Sequence, residues 1–274
     1  YFKIFLGGTN GSITGNGSGG SKELAIGVDA RAHTVTNTDP TGNLYCQTGS
    51  GNTKTCNTSQ ADPTAQAFAV SDGNITSWKT EAAAGGTISG DYSLIGGATA
   101  SLGPKKITGN MLLDNNVTLT LTGTVWVQGT ITIGNNSIVK LTSGYGTSGG
   151  IMLADGWINL SNNAIFQGSG QAGSYFLLIS TNDCDGIAAT SPSGLSCTTG
   201  NSAIEVANNV GTVVVFSSRG QVYVNNNGGA KEITGYKLSL ANNASVTYDV
   251  GLASTSFSSG PGGGFNINSW KEIE

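Results

Sequence analysis

Apolar and polar residues alternate along much of the chain from Pro104 onward. In NNVTLTLTGTVWVQGTITIGNN, residues 115–136, nearly every second residue is Val, Leu or Ile, and Thr, Gly and Asn stand between them. Such alternation predicts β-strands with one buried face, and Gly and Asn favour the corners between strands. A short helix is indicated only around residues 78–84, WKTEAAA, before Gly85 and Gly86. The pattern therefore predicts an all-β protein.

Asn-Asn pairs recur at one fixed point of a repeat. An apolar strand, such as residues 131–133 or 222–224, ends directly before each later pair, and another strand often follows it. Short strands separated by tight corners, with a repeat of about 17–20 residues, are typical of a parallel β-helix. An antiparallel hairpin sandwich is the alternative, but it gives no reason for the fixed phase. We predict a right-handed, single-stranded parallel β-helix (solenoid) with loop insertions. The predicted stacked corner, an asparagine ladder, comprises Asn115, Asn116, Asn135, Asn136, Asn162, Asn163, Asn208, Asn209, Asn225, Asn226, Asn242 and Asn243.

Strand alternation assigns a second set of residues to the interior. The side chains expected to point inward are Val117, Leu119, Leu121, Val125, Val127, Ile131, Ile133, Ile151, Leu153, Ile158, Leu160, Val213, Val215, Val222, Val224, Leu238 and Leu240. Trp126 and the Thr residues between these positions are expected to point outward. The interior set is interpreted as core alone, with no role in chemistry.

Three strands are apolar on both faces: residues 124–127 through Trp126, 176–179, and 213–216. They predict an outer apolar strip that must be covered. The sequence leaves two candidates for the cover of this strip, the first hundred residues of the chain and a partner subunit. The candidate contact surface on the exterior comprises Trp126, Trp157, Tyr223, Val214 and Phe216. The aromatic members could stack on sugar rings or lie beneath the cover.

Changes of composition and of repeat pattern along the chain predict three regions. Residues 1–100 form an irregular N-terminal segment packed on or capping the solenoid. Residues 101–256 form the β-helix with an inserted cysteine loop at 181–200, and residues 257–274 form a C-terminal closing strand or cap. Because the chain begins at Tyr1 rather than Met, we expect a processed product.

Four cysteines lie in two Gly/Ser/Thr-rich loops. Of the three possible connectivities, we favour the local pairs Cys46–Cys56 and Cys184–Cys197, because each would staple a loop with little apolar material. Disulfides require an oxidising compartment, so the sequence predicts an extracellular or cell-surface protein.

Charge and candidate chemistry exclude several classes of function. A net charge of −4 with only two arginines, Arg31 and Arg219, argues against nucleic acid as a partner. No apolar run is long enough to cross a membrane, so no membrane contact is expected of these residues. Asp183 and Asp185, with Asp155 near them, are the best candidates for a metal site, yet two acids in a cysteine loop fit a solvated turn better.

The isolated His33 fits a surface or packed residue better than a general base. We therefore expect no catalytic residue, no cofactor and no metal, and thus a non-enzymatic protein.

A resemblance becomes specific in the C-terminal half. The sequences KITGNMLLDNNVTLTLTGTVWVQGTITIGNNS, GGIMLADGWINLSNNAIFQGSGQAGSYFLLIS and SSGPGGGFNINSWKEIE resemble PilX-like, type IV pilus assembly-associated bacterial surface proteins, over roughly residues 85–274. The resemblance implies an exported β-helix head behind a prepilin-like N-terminal helix, and it carries over no catalytic residue.

The expected function is a pilus-associated structural or adhesive subunit, minor pilin-like or at the tip. Its partners would be other pilus or filament subunits, including copies of itself, or a surface glycan. The alternatives are a self-polymerising extracellular filament subunit and a polysaccharide-binding or polysaccharide-cleaving β-helix protein. The 181–200 loop is a candidate contact site.

Overall fold

The chain forms two compact units in this computed structural model, one within residues 1–67 and the other within residues 68–272. We call them the small unit and the large unit. The structure describes residues 4–5, 11–15, 24–27, 29–62, 68–211, 213–247, 249, 251–252, 255–258 and 260.

The small unit is built from short parallel strands. These are β1 (Ile4–Phe5), β2 (Ser12–Thr14), β3 (Leu24–Ile26), β4 (Ala30–Arg31), β5 (Thr34–Thr36), β6 (Thr38–Pro40), β7 (Leu44–Tyr45) and β8 (Thr48–Ser50). They pair in parallel as β1-β4-β7, β2-β5-β8 and β3-β6. The interpretation of this region as irregular is therefore wrong for its described part, which is itself a solenoid with very short coils.

One α-helix, α1, spans Asp72–Ala84 and opens the large unit. It begins six residues before the predicted segment, because Ser71 caps it: the Ser71 hydroxyl accepts from the Asn74 amide at 3.1 Å, and the Asn74 side chain accepts in return from the Ser71 amide. The helix ends before Gly85 as predicted. No helix among the described residues is long and apolar enough to span a membrane.

The large unit is a parallel β-helix, as the sequence predicts. Its strands are β9 (Thr87–Ile88), β10 (Tyr92–Ile95), β11 (Thr99–Leu102), β12 (Lys105–Ile107), β13 (Met111–Asp114), β14 (Thr118–Leu121), β15 (Val125–Val127), β16 (Ile131–Ile133), β17 (Ile138–Leu141), β18 (Gly150–Ala154), β19 (Ile158–Leu160), β20 (Ile165–Gln167), β21 (Phe176–Ser180), β22 (Ile204–Val206), β23 (Val214–Val224), β24 (Gly229–Ala230), β25 (Glu232–Leu240) and β26 (Ser245–Val246). A 3₁₀ turn, Ser143–Tyr145, follows β17.

These strands stack into three ladders. Ladder A contains β9, β12, β15, β18, β21 and the first parts of β23 and β25. Ladder B contains β10, β13, β16, β19, β22 and the last parts of β23 and β25. Ladder C contains β11, β14, β17 and β20, with β24 and β26 paired above them.

One coil, which we call a floor, passes through ladders A, B and C in turn. Floor 1 begins at β9 and floor 7 at β25, and both halves of β23 belong to floor 6. Since β9, β10 and β11 already belong to floor 1, the solenoid begins near residue 87 and not at the predicted residue 101.

The interior of the large unit is apolar. Val117, Leu119, Leu121, Val125 and Val127 are fully buried, as predicted, and so are Ile131, Ile133, Ile158, Leu160, Val213, Val215, Val222 and Val224. Leu238 and Leu240, in the last floor, are partly buried against the same core.

Ile151 and Leu153 were assigned to the wrong face. In the register of ladder A, Met152 and Ala154 lie beside Val125 and Val127 in the core, so Ile151 and Leu153 point outward. All five residues of β18 are buried. Alternation along the strand therefore gave no signal of the face.

The Asn pairs stack at the corner between ladders B and C. At five of the six predicted pairs both residues have the left-handed conformation, for example φ of 51° and 61° at Asn162 and Asn163, and Asn adopts it at lower cost than most residues. The Asn162 amide donates to Asn135 Oδ1 and accepts from Asn208, both at 3.0 Å. Side-chain hydrogen bonds join Asn135, Asn162 and Asn208, and likewise Asn136, Asn163 and Asn209, so the predicted ladder is present across these three corners.

The fifth corner lies one residue later than predicted, at Asn226 and Asn227. These two residues have φ of 48° and 60°, and they accept from Asn242 and Asn243 at 3.2 and 3.3 Å. Asn225 is instead buried and donates to Glu205 Oε1 at 3.2 Å. Floor 1 carries Gly96 and Gly97 at this corner, which the search for Asn pairs missed.

Candidate contact surfaces

The outer apolar strip lies on ladder A and is covered by the chain's own residues. Its members are Ile151, Leu153, Leu177, Ile179, Val214 and Phe216, each fully buried. Ile75 and Trp78 of α1 pack against it, together with Val70 before the helix and Leu252 and Phe257 near the C-terminus. Of the two covers that the sequence left open, the N-terminal hundred residues therefore supply one part, and Leu252 and Phe257 supply another.

Trp126 marks the edge of this covered strip. Its indole nitrogen donates to Asp155 Oδ2 at 3.1 Å, and Lys79 of α1 binds Asp155 Oδ1 at 2.6 Å. The ammonium groups of Lys79 and Lys106 lie 5.4 and 4.6 Å from the ring centre. Cation–π contacts of this kind favour a fixed ring. Trp126 therefore helps to hold α1 against ladder A.

Two predicted contact residues are not available to a partner. Val214 and Phe216 are 0% exposed, and Phe216 also meets the ring of Phe68 edge-on, with ring centres 5.7 Å apart. Their assignment to a contact surface is wrong, because the apolar strip they belong to is covered within the chain. Phe68 itself is 43% exposed.

Trp157 and Tyr223 lie on the outside of ladder B and are half-buried. Tyr223 packs against Gly200, where an added Cβ would come within 2.4 Å of the Tyr ring. Its neighbour in the ladder, Glu205, accepts from the Thr199 hydroxyl at 3.1 Å and the Gly200 amide at 3.3 Å. Tyr223 and Glu205 thus anchor the end of the cysteine loop.

The cysteine loop lies between β21 and β22 and is closed by the Cys184–Cys197 disulfide; Cys46–Cys56 forms the other disulfide. Both local pairings are as predicted. Asp183 accepts from the Ser193 hydroxyl at 2.6 Å, and the backbone pairs across the loop at Thr190 and Ser196. A disulfide, a carboxylate and a backbone bridge therefore fix the loop's shape.

Two large apolar side chains are exposed on this loop. Ile187 is 77% exposed and Leu195 is 46% exposed, and no charged residue occurs between Asp185 and Glu205. Tyr236, 66% exposed, precedes Lys237, whose ammonium group donates to the Asp185 carbonyl at 3.0 Å. The sequence predicted the loop as a contact site but not these side chains. The sequence feature that could have indicated Ile187 and Leu195 is the long uncharged stretch in which these two large apolar residues lie.

The candidate metal residues hold protein groups instead. Asp185 accepts from the Ile187 amide at 3.1 Å, and Asp155 is bound by Trp126 and Lys79. Burial alone would raise the pKa of Asp183, but hydrogen bonds from Ser193 and Ser191 outweigh it and hold that pKa below its usual value. In the described part of the chain no three His, Cys, Asp or Glu side chains lie close enough to share a metal ion.

His33 of the small unit is paired with a carboxylate. Its Nδ1 lies 2.8 Å from Asp62 Oδ2, and both side chains are largely covered. This contact fits the interpretation of His33 as a packed residue.

Glu232 is a partly buried carboxylate on the outer face of ladder A. It follows Ile151, Leu177 and Val214 in one outward column of ladder A. Its Oε2 is buried and has no hydrogen-bond partner among the described residues. Burial raises the pKa of Glu232 to about 7.

Comparisons with models of protein families, with curated proteins and with solved structures find no match.

Proposed function

We propose that the protein is a non-enzymatic structural and adhesive subunit at the bacterial cell surface, associated with a type IV pilus. The observation that carries the proposal is the cysteine loop, which is closed by a disulfide and exposes Ile187 and Leu195. Pre-organised apolar side chains bind with little loss of conformational entropy. The resemblance of residues 85–274 to PilX-like proteins supplies the pilus context.

An oxidising, extracellular setting suits the chain. Its four cysteines form two disulfides, which persist outside the cytosol and are rare within it. Immunogold electron microscopy of the producing cells tests the location. Label along surface filaments is the expected result, and label confined to the cell interior would contradict the proposal.

Adhesion is tested with beads coated with the full chain, applied to epithelial cells and to an octyl-coated surface. The I187S/L195S variant should lose most of the retention, because it removes the exposed apolar groups and leaves the disulfide intact. I165S is the matched control, since Ile165 is 41% exposed on ladder C, away from the loop. Equal retention by wild type and I187S/L195S would exclude the loop as the contact site.

Two alternatives rest on other observations. A self-polymerising extracellular filament is favoured by the strand edges at both ends of the large unit. A polysaccharide-binding or polysaccharide-cleaving protein is favoured by Trp157 and Tyr223, half-buried aromatic residues on the outside of ladder B. A glycan array and a reducing-sugar assay test the latter, and W157A should abolish any signal that appears.

A further inference from the structure

In the part of the chain that the structure describes, both ends of the large unit present strand edges without a partner strand. Within the described residues, no strand pairs with the outer edges of β9, β10 and β11 in floor 1, or with those of β25 and β26 in floor 7. Such edges carry a row of free backbone N–H and C=O groups and are templates for pairing with another strand.

The inward side chains at these ends are less buried than those of the middle floors. Inward residues of the middle floors, such as Ile131 and Ile133, are 0% exposed. In floor 1, Tyr92 and Leu94 are only partly buried, and in floor 7 the same holds for Leu238 and Leu240. Covering them would remove further apolar surface from water, which favours association.

The two ends are complementary in register. Followed floor by floor through ladder B, the column that begins at Tyr92 ends at Leu238, and the column that begins at Leu94 ends at Leu240. A second copy placed on floor 7 in the same register would therefore set Tyr92 over Leu238 and Leu94 over Leu240. Both apolar columns would continue without a break.

The corners are complementary as well. Gly96 and Gly97 in floor 1 have φ of 67° and 75°, close to the left-handed values of 51° and 62° at Asn242 and Asn243 in floor 7. The space where a Cβ would stand on either glycine is open. The glycine corner can therefore stack on the Asn corner of another copy without a clash.

We propose that the large unit binds a second copy of this chain head to tail, floor 7 of one copy against floor 1 of the next. The contact repeats the floor-on-floor pairing that already joins seven floors within the unit. Because the two surfaces differ, the contact leaves one free end of each kind and extends into an open filament. This proposal deepens the filament alternative above, and its outcome is independent of the adhesion experiment.

Site-directed cross-linking of the full chain tests this geometry. Ser93 and Ser239 stand at the two ends of one outward column in ladder B, away from the core. Neighbouring strands lie about 4.8 Å apart, within the Cα separation that a disulfide spans. Under mild oxidation, S93C/S239C should form a ladder of covalent oligomers on a non-reducing gel, which reductant collapses to monomer.

Matched variants separate head-to-tail stacking from random collision. S93C and S239C alone should give no species beyond a dimer. S93C/S245C carries the same number of new thiols, but Ser245 belongs to ladder C, so it should give no ladder. Equal ladders from both double variants would overturn the proposal.

Analytical ultracentrifugation of the wild-type full chain supplies a second measurement. Its weight-average mass should rise with protein concentration. A constant monomer mass together with no cross-linked ladder would show that the ends are capped by the chain itself or take a different protein. Each of these two explanations overturns the proposal of head-to-tail stacking.

Discussion

The small unit and the large unit are both parallel solenoids, and they differ in the length of the coil. Paired residues of the small unit, such as Thr34 and Thr48, are 14 residues apart, whereas Thr130 and Asn110 on adjacent floors of the large unit are 20 apart. A longer coil encloses a wider interior. The interior of the large unit holds mainly Val, Ile and Leu, whereas that of the small unit includes Ala30, Ala32 and Cys46.

The short coil relies more on polar contacts between floors. Asn52 accepts from the Thr38 amide at 3.0 Å and donates to the Val35 carbonyl at 2.8 Å, and the Thr53 hydroxyl donates to Asp39 at 2.6 Å. The Cys46–Cys56 disulfide closes the last coil. Coil length thus decides whether a solenoid is held by its core or by cross-links, and the first two predictions below compare the small unit with the large unit.

Removal of a disulfide should show the largest difference between the small unit and the large unit in the loss of folded structure. C46S/C56S should unfold the small unit, since a short disulfide-closed loop contributes about 3 kcal/mol and the core there is small. C184S/C197S should loosen only the cysteine loop, because the ladders on either side are paired independently of it. Hydrogen exchange, resolved by peptide, measures the protection of the backbone amides in both units. Protection that persists throughout residues 29–62 in C46S/C56S would contradict this view.

Truncation of a core side chain should cost more free energy of unfolding in the large unit, yet it should disturb the small unit more. L119A removes a fully buried side chain from the large unit and should cost about 3 kcal/mol, yet leave that unit folded. V35A should cost less, about 1–2 kcal/mol, but should raise exchange throughout the small unit, which has less stability in reserve. Chemical denaturation of each variant, followed by peptide-resolved exchange, checks both results.

Changes of pH near neutrality should act on the large unit through Glu232. The pKa of its carboxyl is raised by burial to about 7, so the folded state holds the proton more tightly than the unfolded state. The resulting stability is full below about pH 4.5 and is lost as pH rises through about 7. E232Q should remove this slope and stabilise the large unit at pH 8 by about 1–3 kcal/mol. Parallel slopes for E232Q and wild type would refute the assignment.

The Asn corner should give the smallest effect. N162A should destabilise the large unit by about 1–2 kcal/mol, since it loses two side-chain hydrogen bonds and places Ala at φ 51°. N162G loses the same bonds but tolerates the conformation, so it should cost less. The difference between the two melting temperatures measures the conformational part alone.

Periodicity predicted the large unit well because every floor repeats the same physical demands. The Asn pairs and the inner Val and Ile positions were both readable as a repeat. The three consecutive residues 225–227 are all Asn, and this placed the fifth corner one residue early. Strand β18, buried on both faces, misled the assignment of Ile151 for a related reason.

The short coils of the small unit were not predicted, because their repeat does not keep its residue types. Val35 pairs with Gly49 in the next coil, and the left-handed corner at Asn37 is followed by Gly51 at the equivalent place. For a different reason, the sequence predicted only one part of the cover of the apolar strip, the N-terminal part, and missed Leu252 and Phe257. Which segment packs on an outer face depends on the fold of the whole unit, and Trp78 and Phe257 are 179 residues apart in sequence.

The coil of floor 5, which contains the cysteine loop, has a practical meaning for protein engineering. Asn162 and Asn208 are 46 residues apart, yet their amides pair as closely as those of corners separated by 27. The stack has thus accepted an extra segment at the turn after β21 without loss of register. Loop tips on a rigid scaffold are where foreign peptides are best tolerated. Residues 186–196 are therefore a natural place to graft an epitope for multivalent display.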